Sequence, residues 1–181
     1  MLEHAMKIVQ KVLERRLQLM VKVDKIQFGF MPGKGTIDPV FILRRLQEEY
    51  LDKEKKFYKC FVDLEEAFDR IPRKVLEWAM RKRDIQEIMV RAVMSLYEGA
   101  KTRVRVELEL CEEFEVKVGV HQRSVLSPLV FAIAVDMVTE NVRNGLMSKM
   151  LYANDLVLTS ETMEGLREKF WKWKEAFEAR G

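Results

Sequence analysis

The sequence has little of what secreted, membrane-spanning and disordered proteins require. Its 181 residues include two cysteines and two histidines, too few for a disulfide framework or a typical zinc site. The longest stretch without Asp, Glu, Lys or Arg is residues 124–135, whereas a membrane helix needs roughly 20 apolar residues. The first residues, MLEHAMKIVQ, carry acid and histidine where a signal peptide has a basic patch and an apolar core. These absences predict an intracellular protein, of the cytoplasm or nucleus, that contacts no membrane.

The composition is that of a folded domain. Hydrophobic residues make up 48% of the chain and charged residues 34%, which excludes general disorder and suits one domain, or one domain with two lobes. The net charge is +3, and residues 1–56 carry twelve Lys and Arg against eight Asp and Glu. This mildly basic N-terminal third permits a polyanionic partner but does not require one, because a solvated helical surface has the same charge.

Hydrophobic periodicity predicts helices mixed with short strands. The predicted order is helix 3–22, helix 38–51, strand 57–64, helix 73–83, helix 85–98, alternating strands around 104–108 and 114–118, helix 127–145, strand–turn–strand 151–160 and helix 161–179. The alternation of Val104, Val106 and Leu108 with charged residues predicts a hairpin with one solvated face. Since helices and strands do not alternate strictly, the fold class is α+β, with a small antiparallel sheet packed on helices.

The helix that begins at Ser127 and Pro128 should form the centre of the core. It has almost no polar face and should end around Asn144 and Gly145. We expect it to pack on the strands on either side of it in the sequence. The residues predicted to be buried are Phe131, Ile133, Val135, Val62, Leu156 and Leu158.

Three segments carry side chains suited to chemistry. In FVDLEEAFD, Asp63 stands at the end of an apolar strand, and in YAND, Asn154 and Asp155 form a tight turn. Acids placed this way can build a magnesium site, because Mg²⁺ prefers hard oxygen ligands and two such ions can bridge the oxygens of a phosphoryl transfer. The third segment is the polar loop GVHQRSVLSP (119–128). Taken singly, each segment also has an ordinary structural explanation. Asp63 fits a strand-end carboxylate, Asn154 and Asp155 fit a hairpin turn, and residues 119–128 fit a polar loop.

Four motifs in this order along the chain closely resemble the reverse transcriptase of non-LTR (LINE-type) retrotransposons. They are FGFMPGKGT, FVDLEEAFD, GVHQ with SVLSP, and YAND. The intervening KIVQKVLERRL, YEGAKTRVRV, EEFEVKVGVHQ and LVLTSETMEGL are also similar to that family. The resemblance implies a polymerase fingers–palm fold and RNA-directed DNA synthesis with two Mg²⁺ ions, an RNA template, a DNA primer and dNTP. It assigns fingers-like parts to residues 1–56 and 71–119, and palm-like parts to 57–70 and 120–181, of a single domain.

The same resemblance implies roles for individual residues. Asp63 and Asp155 match metal-binding aspartates, and the backbone carbonyl of Leu64 matches a further metal ligand. Phe68 matches the aromatic steric gate that lies under the deoxyribose and excludes a 2′-hydroxyl. Gln122 matches the glutamine that contacts the sugar of the incoming nucleotide. The glycine loop, which lies against the template in the family's fingers, supplies Gly29, Gly33, Lys34 and Gly35.

The sequence departs from the family pattern in three ways. Asn154 stands where the family has a second aspartate in the turn, which removes one of three carboxylates. Arg123 stands where the family has a glycine, and its long side chain is expected to obstruct the path of the nucleotide. The chain begins beside the first helix and ends after the last, so we expect a truncated copy without the thumb and without a further fingers segment. Lys34 alone cannot replace the basic residues that this segment supplies for the triphosphate.

These departures predict an inactive or impaired enzyme. Loss of a ligating carboxylate should cost on the order of 10²–10³ in rate, by analogy with single electrostatic contacts. The alternatives are a non-catalytic module that binds nucleic acid or a protein partner, and an element remnant without function. Truncation should also expose apolar surface around Trp171, Trp173 or Phe177, and this surface would favour self-association.

Overall fold

The computed structural model of the chain describes residues 2–106, 109–143 and 149–180. Its α-helices are α1 (Leu2–Met20), α2 (Ile37–Asp52), α3 (Ala67–Arg70), α4 (Arg73–Lys82), α5 (Glu87–Met94), α6 (Ser127–Val138) and α7 (Met163–Glu178), and a 3₁₀ helix covers Glu140–Val142. Its strands are β1 (Tyr58–Asp63), β2 (Lys101–Thr102), β3 (Arg105–Val106), β4 (Glu109–Leu110), β5 (Phe114–Glu115), β6 (Lys149–Tyr152) and β7 (Asp155–Ser160). Within these ranges, no helix has the length and apolar character that a bilayer crossing requires. The predicted α+β class is confirmed.

The main sheet has three antiparallel strands in the order β1-β7-β6. Strand β1 runs against β7 until Asp63 lies opposite Asp155, and β6 runs against β7 until Tyr152 lies opposite Asp155. The turn of the β6–β7 hairpin is therefore Ala153–Asn154, and Asp155 is already the first residue of β7. The prediction that Asn154 and Asp155 form the turn is wrong by one residue, because Ala153 adopts the positive φ, 58°, that closes it.

Helix α6 lies between the main sheet and α4, as its continuous apolar sequence predicts. Phe131 and Val135 contact the sheet residues Leu156 and Leu158, together with Leu166 and Trp173 of α7. Ile133, on the opposite side of α6, packs with α4 and α5. Five of the six predicted core residues are fully buried, and Val62 is half-buried where β1 meets α7.

Helix α6 is shorter than its sequence pattern predicts. It ends at Val138, and the buried Thr139 hydroxyl donates to the Val135 carbonyl, four residues back. Side chains bonded in this way compete with the continuing helix, which here gives way to the 3₁₀ turn at Glu140–Val142. The predicted end at Asn144 and Gly145 lies outside the described residues.

The hairpin predicted over 104–118 forms only as short pairs. Strand β2 pairs with β5, and β3 pairs with β4, each over two residues. Most apolar side chains described in this region are exposed, among them Val104, Val106, Phe114 and Val118, and Val116 is half-buried. Over the described residues both faces of the hairpin are therefore largely solvated, and the prediction that only one face is solvated is wrong. Leu108 lies outside the described residues.

The two N-terminal helices bury little of their apolar surface. Among the apolar side chains of α1 that the structure describes, Leu17 alone is fully buried. Helix α2 buries only Leu46. Most of the core therefore lies around α4, α5, α6 and the sheet, and the helices α1 and α2 present apolar side chains to solvent.

The C-terminal helix α7 closes the core over the sheet. Leu166 and Trp173 are buried, and Phe170 and Phe177 are half-buried on the same side of the helix. Trp171, one of the aromatic residues expected to be exposed, has 55% of its surface exposed. The expectation is wrong for Trp173, which is 2% exposed because it faces the sheet from the buried side of α7.

Candidate active site

Two aspartates meet on the face of the main sheet that α6 and α7 leave open. Asp63 ends β1, Asp155 begins β7, and the two are opposite each other in the antiparallel register. Directly opposed residues project from the same face, with Cβ atoms about 5 Å apart. Both side chains are exposed, so these carboxylates are available to solvent and to a shared ligand.

Asn154 binds one of these carboxylates directly. Its Nδ2 donates to Oδ1 of Asp63 over 2.9 Å, and its backbone carbonyl accepts from the Leu64 N–H over 3.2 Å. A carboxylate can only accept hydrogen bonds, so the amide nitrogen faces Asp63 for a chemical reason. The neutral amide thus satisfies an oxygen that the family pattern offers to a cation.

The hairpin turn is held in place by Gln27 and Gly29, at the start of the loop that the resemblance places against the template. Buried Gln27 accepts through Oε1 from the N–H groups of Gly29 and Ala153. Its backbone also bridges to Leu151 in parallel. A Cβ at Gly29 would lie 2.3 Å from the Ala153 nitrogen, so only glycine allows this approach. A polar residue between the apolar Ile26 and Phe28 was the available signal for the role of Gln27.

A pocket of about 350 Å³ adjoins the turn and contains most of the predicted nucleotide-binding residues. Its lining includes Phe68, Gln122, Arg123 and Asn154. The Phe68 ring stacks on the buried Phe131, with 4.2 Å between ring centroids, which fixes its position as a wall of the pocket. The structure therefore brings the predicted steric-gate, sugar-contact and turn positions to one cavity.

Gln122 is oriented by an acid that the sequence analysis did not single out. Its Nε2 donates to both carboxylate oxygens of Asp69, at 3.0 Å each. The backbone of Asp69 also packs closely against Gly119, where a Cβ would lie 2.6 Å from the Asp69 carbonyl oxygen. The last residue of FVDLEEAFD was the signal available in the sequence.

Arg123 occupies a left-handed backbone position, with φ of 62°. A residue with a Cβ pays about 1–2 kcal/mol there, whereas glycine adopts the conformation freely. The glycine expected at this position therefore has a conformational reason besides the steric one. The Arg123 side chain is exposed and lines the pocket beside Gln122.

The side chain of Lys34 stabilises the glycine loop from within. Lys34 Nζ donates to the backbone carbonyls of Lys25 and Gln27 and lies 4.7 Å from the centre of the Phe28 ring. Burial, the largest effect, lowers the pKa of Lys34. Gly33 has φ of 73° with open space around it, and the Gly35 N–H donates to Asp38. In this arrangement the Lys34 ammonium ties the loop, and it is not extended toward a phosphate.

The donor set at the two aspartates fits one divalent cation better than two. Asp63 and Asp155 supply the carboxylate oxygens, and the Leu64 carbonyl, which the resemblance adds to them, already accepts from the Ala67 N–H. Across the described ranges, no three His, Cys, Asp or Glu side chains converge as a metal site. On the far side of the pocket, burial and then Arg73 lower the pKa of His121, so that side carries no imidazolium at neutral pH.

Comparison with known proteins gives a family match over the whole chain and relatives over most of it. The family described as "Reverse transcriptase (RNA-dependent DNA polymerase)" matches residues 1–181. The type-1 retrotransposable element R2 Pol polyprotein of Nasonia vitripennis is 26% identical over 90% of this chain, and the RNA-directed DNA polymerase from mobile element jockey of Drosophila funebris is 30% identical over 77%. The chain spans 17% and 16% of the length of these two relatives.

Solved structures share the fold at low sequence identity. The telomerase of Candida albicans, in complex with a TWJ fragment of telomeric RNA, superimposes on 95% of this chain with a TM-score of 0.72 and 10% identity. The corresponding Candida tropicalis structure covers 91% with a TM-score of 0.67 and 15% identity. This chain covers 32% and 30% of those two chains.

Proposed function

This chain belongs to the reverse transcriptase family, and on that premise we propose that it is a fingers–palm portion whose nucleotidyl-transfer site keeps its shape but not its activity. The site is the open sheet face with Asp63, Asp155 and Asn154 and the adjoining pocket with Phe68 and Gln122. The parent activity is RNA-directed DNA synthesis, which the relatives' names describe. Template, primer and dNTP are the proposed ligands, and such ligands occur inside cells.

One observation carries this proposal: Asp63 lies opposite Asp155, with the Asn154 amide donating to Asp63. Opposed aspartates on an exposed sheet face would repel each other without a positive partner. Here the amide supplies two partial positive hydrogens in place of a full charge. The negative charge of Asp63 is thereby partly compensated, without the additional negative charge that a third aspartate would bring.

Magnesium is the metal that this family implies, and Asp63, the Leu64 carbonyl and Asp155 are the residues that would hold it. When bound, Mg²⁺ would supply positive charge to stabilise the negative charge that develops during phosphoryl transfer. With a neutral amide at position 154, the residues present suit a single weakly held ion. This supports the proposal that turnover is lost while the cavity remains.

The residues around the pocket have roles that do not require the metal. The Phe68 ring, fixed on Phe131, forms a flat wall beneath a sugar, and Asp69 holds the Gln122 amide at the rim. Phe61 lies two residues before Asp63 on the same sheet face and is 69% exposed. An exposed ring there suits stacking on an unpaired base. These contacts would position a nucleotide and a strand end beside the aspartates.

The alternative is a module that binds nucleic acid and has no chemical step. The Asn154–Asp63 hydrogen bond favours it, because a site stabilised without a cation can persist without turnover. Both functions share the same bound strand, so a binding assay alone cannot separate them. A measurement of primer extension does.

The test is primer extension on an RNA template with Mg²⁺ and dNTP by four proteins: the chain itself, Asn154→Asp, Arg123→Gly and the double variant. We expect no extension by the chain and the highest activity in the double variant, because metal and sugar must be placed together for in-line attack. Arg123→Ala is the matched control. It removes the guanidinium but keeps the left-handed strain, so it should fall short of Arg123→Gly.

A second pair of proteins tests whether the site is correctly placed. The double variant of residues 1–181 replaces the corresponding segment of the R2 relative, with and without Asp63→Asn. Extension that disappears with Asp63→Asn supports the proposed site. Extension by the unmodified chain would contradict the loss of activity, and no extension by the grafted double variant would contradict the site.

A further inference from the structure

A second polar pocket lies away from the aspartates and is not part of the proposed function. It has a volume of about 620 Å³ and opens among the segment after α1, the end of α4 and the start of β6. We call it the Arg143 pocket. Its charged lining residues are Lys22, Asp24, Lys25, Arg83, Arg143 and Lys149. Lys149 begins β6 and Tyr152 ends it, which separates the pocket from the hairpin turn by about 10 Å of strand.

The two acids next to this pocket, Asp24 and Asp136, already form hydrogen bonds and ion pairs within the protein. Asp136 is 3% exposed, and its two oxygens accept from the Asp24 backbone N–H, Arg143 Nη1 and Arg83 Nη2. The Asp24 carboxylate accepts from the Ile26 N–H and faces Arg143 Nη1 at 3.1 Å. The lining has five cationic side chains, whereas Asp24 and Asp136 supply two carboxylates. The pocket therefore has excess positive charge.

Arg143 keeps one edge of its guanidinium without an acceptor. Its side chain is 8% exposed, and in the described part of the chain neither Nε nor Nη2 has a hydrogen-bond partner. These two nitrogens form the side-on edge of the planar group, which binds two oxygens of one oxyanion at a time. Arg83 Nε, across Asp136, lacks a partner in the same way. A buried charged donor without an acceptor destabilises the fold. An oxyanion here would supply the missing acceptors and reduce that cost in free energy.

Lys149 adds a second sign of unbalanced positive charge. Burial, followed by Lys169, Arg143 and Lys172, lowers the pKa of Lys149 to about 8. Its ammonium donates to the Val142 carbonyl and lies 5.7 Å from the centre of the Trp173 ring. An anion in the pocket would offset the repulsion from the neighbouring cations and favour the charged ammonium.

We propose that the Arg143 pocket binds an oxyanion of the phosphate class, held by the free edge of Arg143 and by Lys22 and Lys25 at the surface. A phosphodiester of a nucleic-acid strand and a free phosphate offer the same oxygens to that edge. The pocket is spatially separate from Asp63 and Asp155, so it can bind its anion whether or not the aspartate site is active.

The test is a titration of inorganic phosphate into the ¹⁵N-labelled chain at low salt. The Arg143 Nε–H resonance, identified by its absence in Arg143→Lys, should shift and saturate. Lys22→Gln/Lys25→Gln should weaken binding on the order of fivefold, since each exposed charge contributes modestly. Lys7→Gln/Lys56→Gln loses the same net charge from other exposed positions and should bind phosphate like the parent chain.

The lysine variants change exposed side chains, so they keep the test decisive even where Arg143→Lys does not fold. The absence of a shift in any guanidinium Nε–H resonance, or equal weakening in both lysine pairs, would overturn the proposal. A short single-stranded oligonucleotide then identifies the source. A shift of the same resonance that phosphate competes away assigns the site to a nucleic-acid backbone, whereas a shift with phosphate alone assigns it to a small phosphate. Both results support an oxyanion site.

Discussion

At the scale of single residues, Asn154 and Asp63 make the contact on which the candidate active site depends. The amide supplies a hydrogen bond that an aspartate at position 154 could not supply while ionised. An aspartate there would instead place a third negative charge beside two others. The same substitution that restores the family pattern should therefore cost stability when no cation is present.

We predict that Asn154→Asp lowers the melting temperature in EDTA and that millimolar Mg²⁺ restores it. The lost hydrogen bond and the added repulsion together cost about 1 kcal/mol, or roughly 2–4 °C for a chain of this size. The parent chain should gain less from Mg²⁺, because its third position is neutral. Asn141→Asp makes the same chemical change on the exposed 3₁₀ turn and serves as the control. Equal Mg²⁺ responses in all three proteins, measured by thermal unfolding, would count against a cation site at the aspartates.

Lys149 gives a prediction for the pH dependence of stability. The folded state lowers its pKa to about 8 from 10.5, so the unfolded chain binds this proton more tightly. The cost is complete below pH 8 and disappears as pH rises toward 10.5, which means that Lys149 makes stability rise with pH in that window. Urea unfolding at pH 7.5 and 9.5 measures this, and Lys149→Met should show a smaller rise than the parent chain. Lys56→Met, at an exposed position, should leave the rise unchanged. The same rise in the Lys149→Met protein would refute the effect.

At the scale of elements, the sequence predicted best where one strong pattern dominates. The uninterrupted apolar run of α6 predicted the centre of the core correctly, because no tertiary contact had to be known to assign it. The 104–118 hairpin failed because alternation predicts a strand but not whether another element covers its apolar side. The roles of Gln27 and Asp69 depend on contacts across the chain, which no local pattern contains.

For the site residues too, the sequence predicted which residues come together but not the contacts that depend on the folded chain. The resemblance placed Asp63, Asp155 and Gln122 in one region, and the structure brings them to one sheet face and one adjoining pocket. The resemblance did not predict that Lys34 would be held by loop carbonyls, since its partners depend on how the loop closes on itself. Nor did it show the left-handed conformation at Arg123, which only backbone geometry reveals.

The packing of the glycine loop on the hairpin turn gives an element-scale prediction. Gly29→Ala would place a methyl group 2.3 Å from the Ala153 nitrogen, so loop and turn must separate at a cost of about 1–3 kcal/mol or more. Gly35→Ala is the matched control. Its nearest neighbour would be an Asp38 side-chain oxygen at 3.8 Å, and the change should stay within about 0.5 kcal/mol. Urea unfolding compares the two, and equal stabilities would refute the close packing of Gly29.

At the scale of the whole molecule, apolar surface is concentrated on the two N-terminal helices. Ile8, Val9 and Val12 of α1 are exposed, and so are Ile37, Val40 and Phe41 of α2. Helix α2 buries only Leu46, and the side chains of Ile37, Val40, Phe41 and Leu51 have no cover in the monomer. The net charge of +3 offers little repulsion between copies to oppose their association.

We therefore predict that the chain self-associates through α2 as its concentration rises. Light scattering after size exclusion, over roughly 5–100 µM, should give an apparent mass that rises above the 21.4 kDa of the monomer, because each apolar side chain withdrawn from water contributes up to 1.5–3 kcal/mol. Val40→Lys/Phe41→Lys should shift the distribution toward monomer. Ile88→Lys changes a residue that is 76% exposed on α5 and should leave association unchanged. A mass of one chain at every concentration would contradict association, and equal dissociation by both variants would show that added charge, not the α2 surface, is responsible.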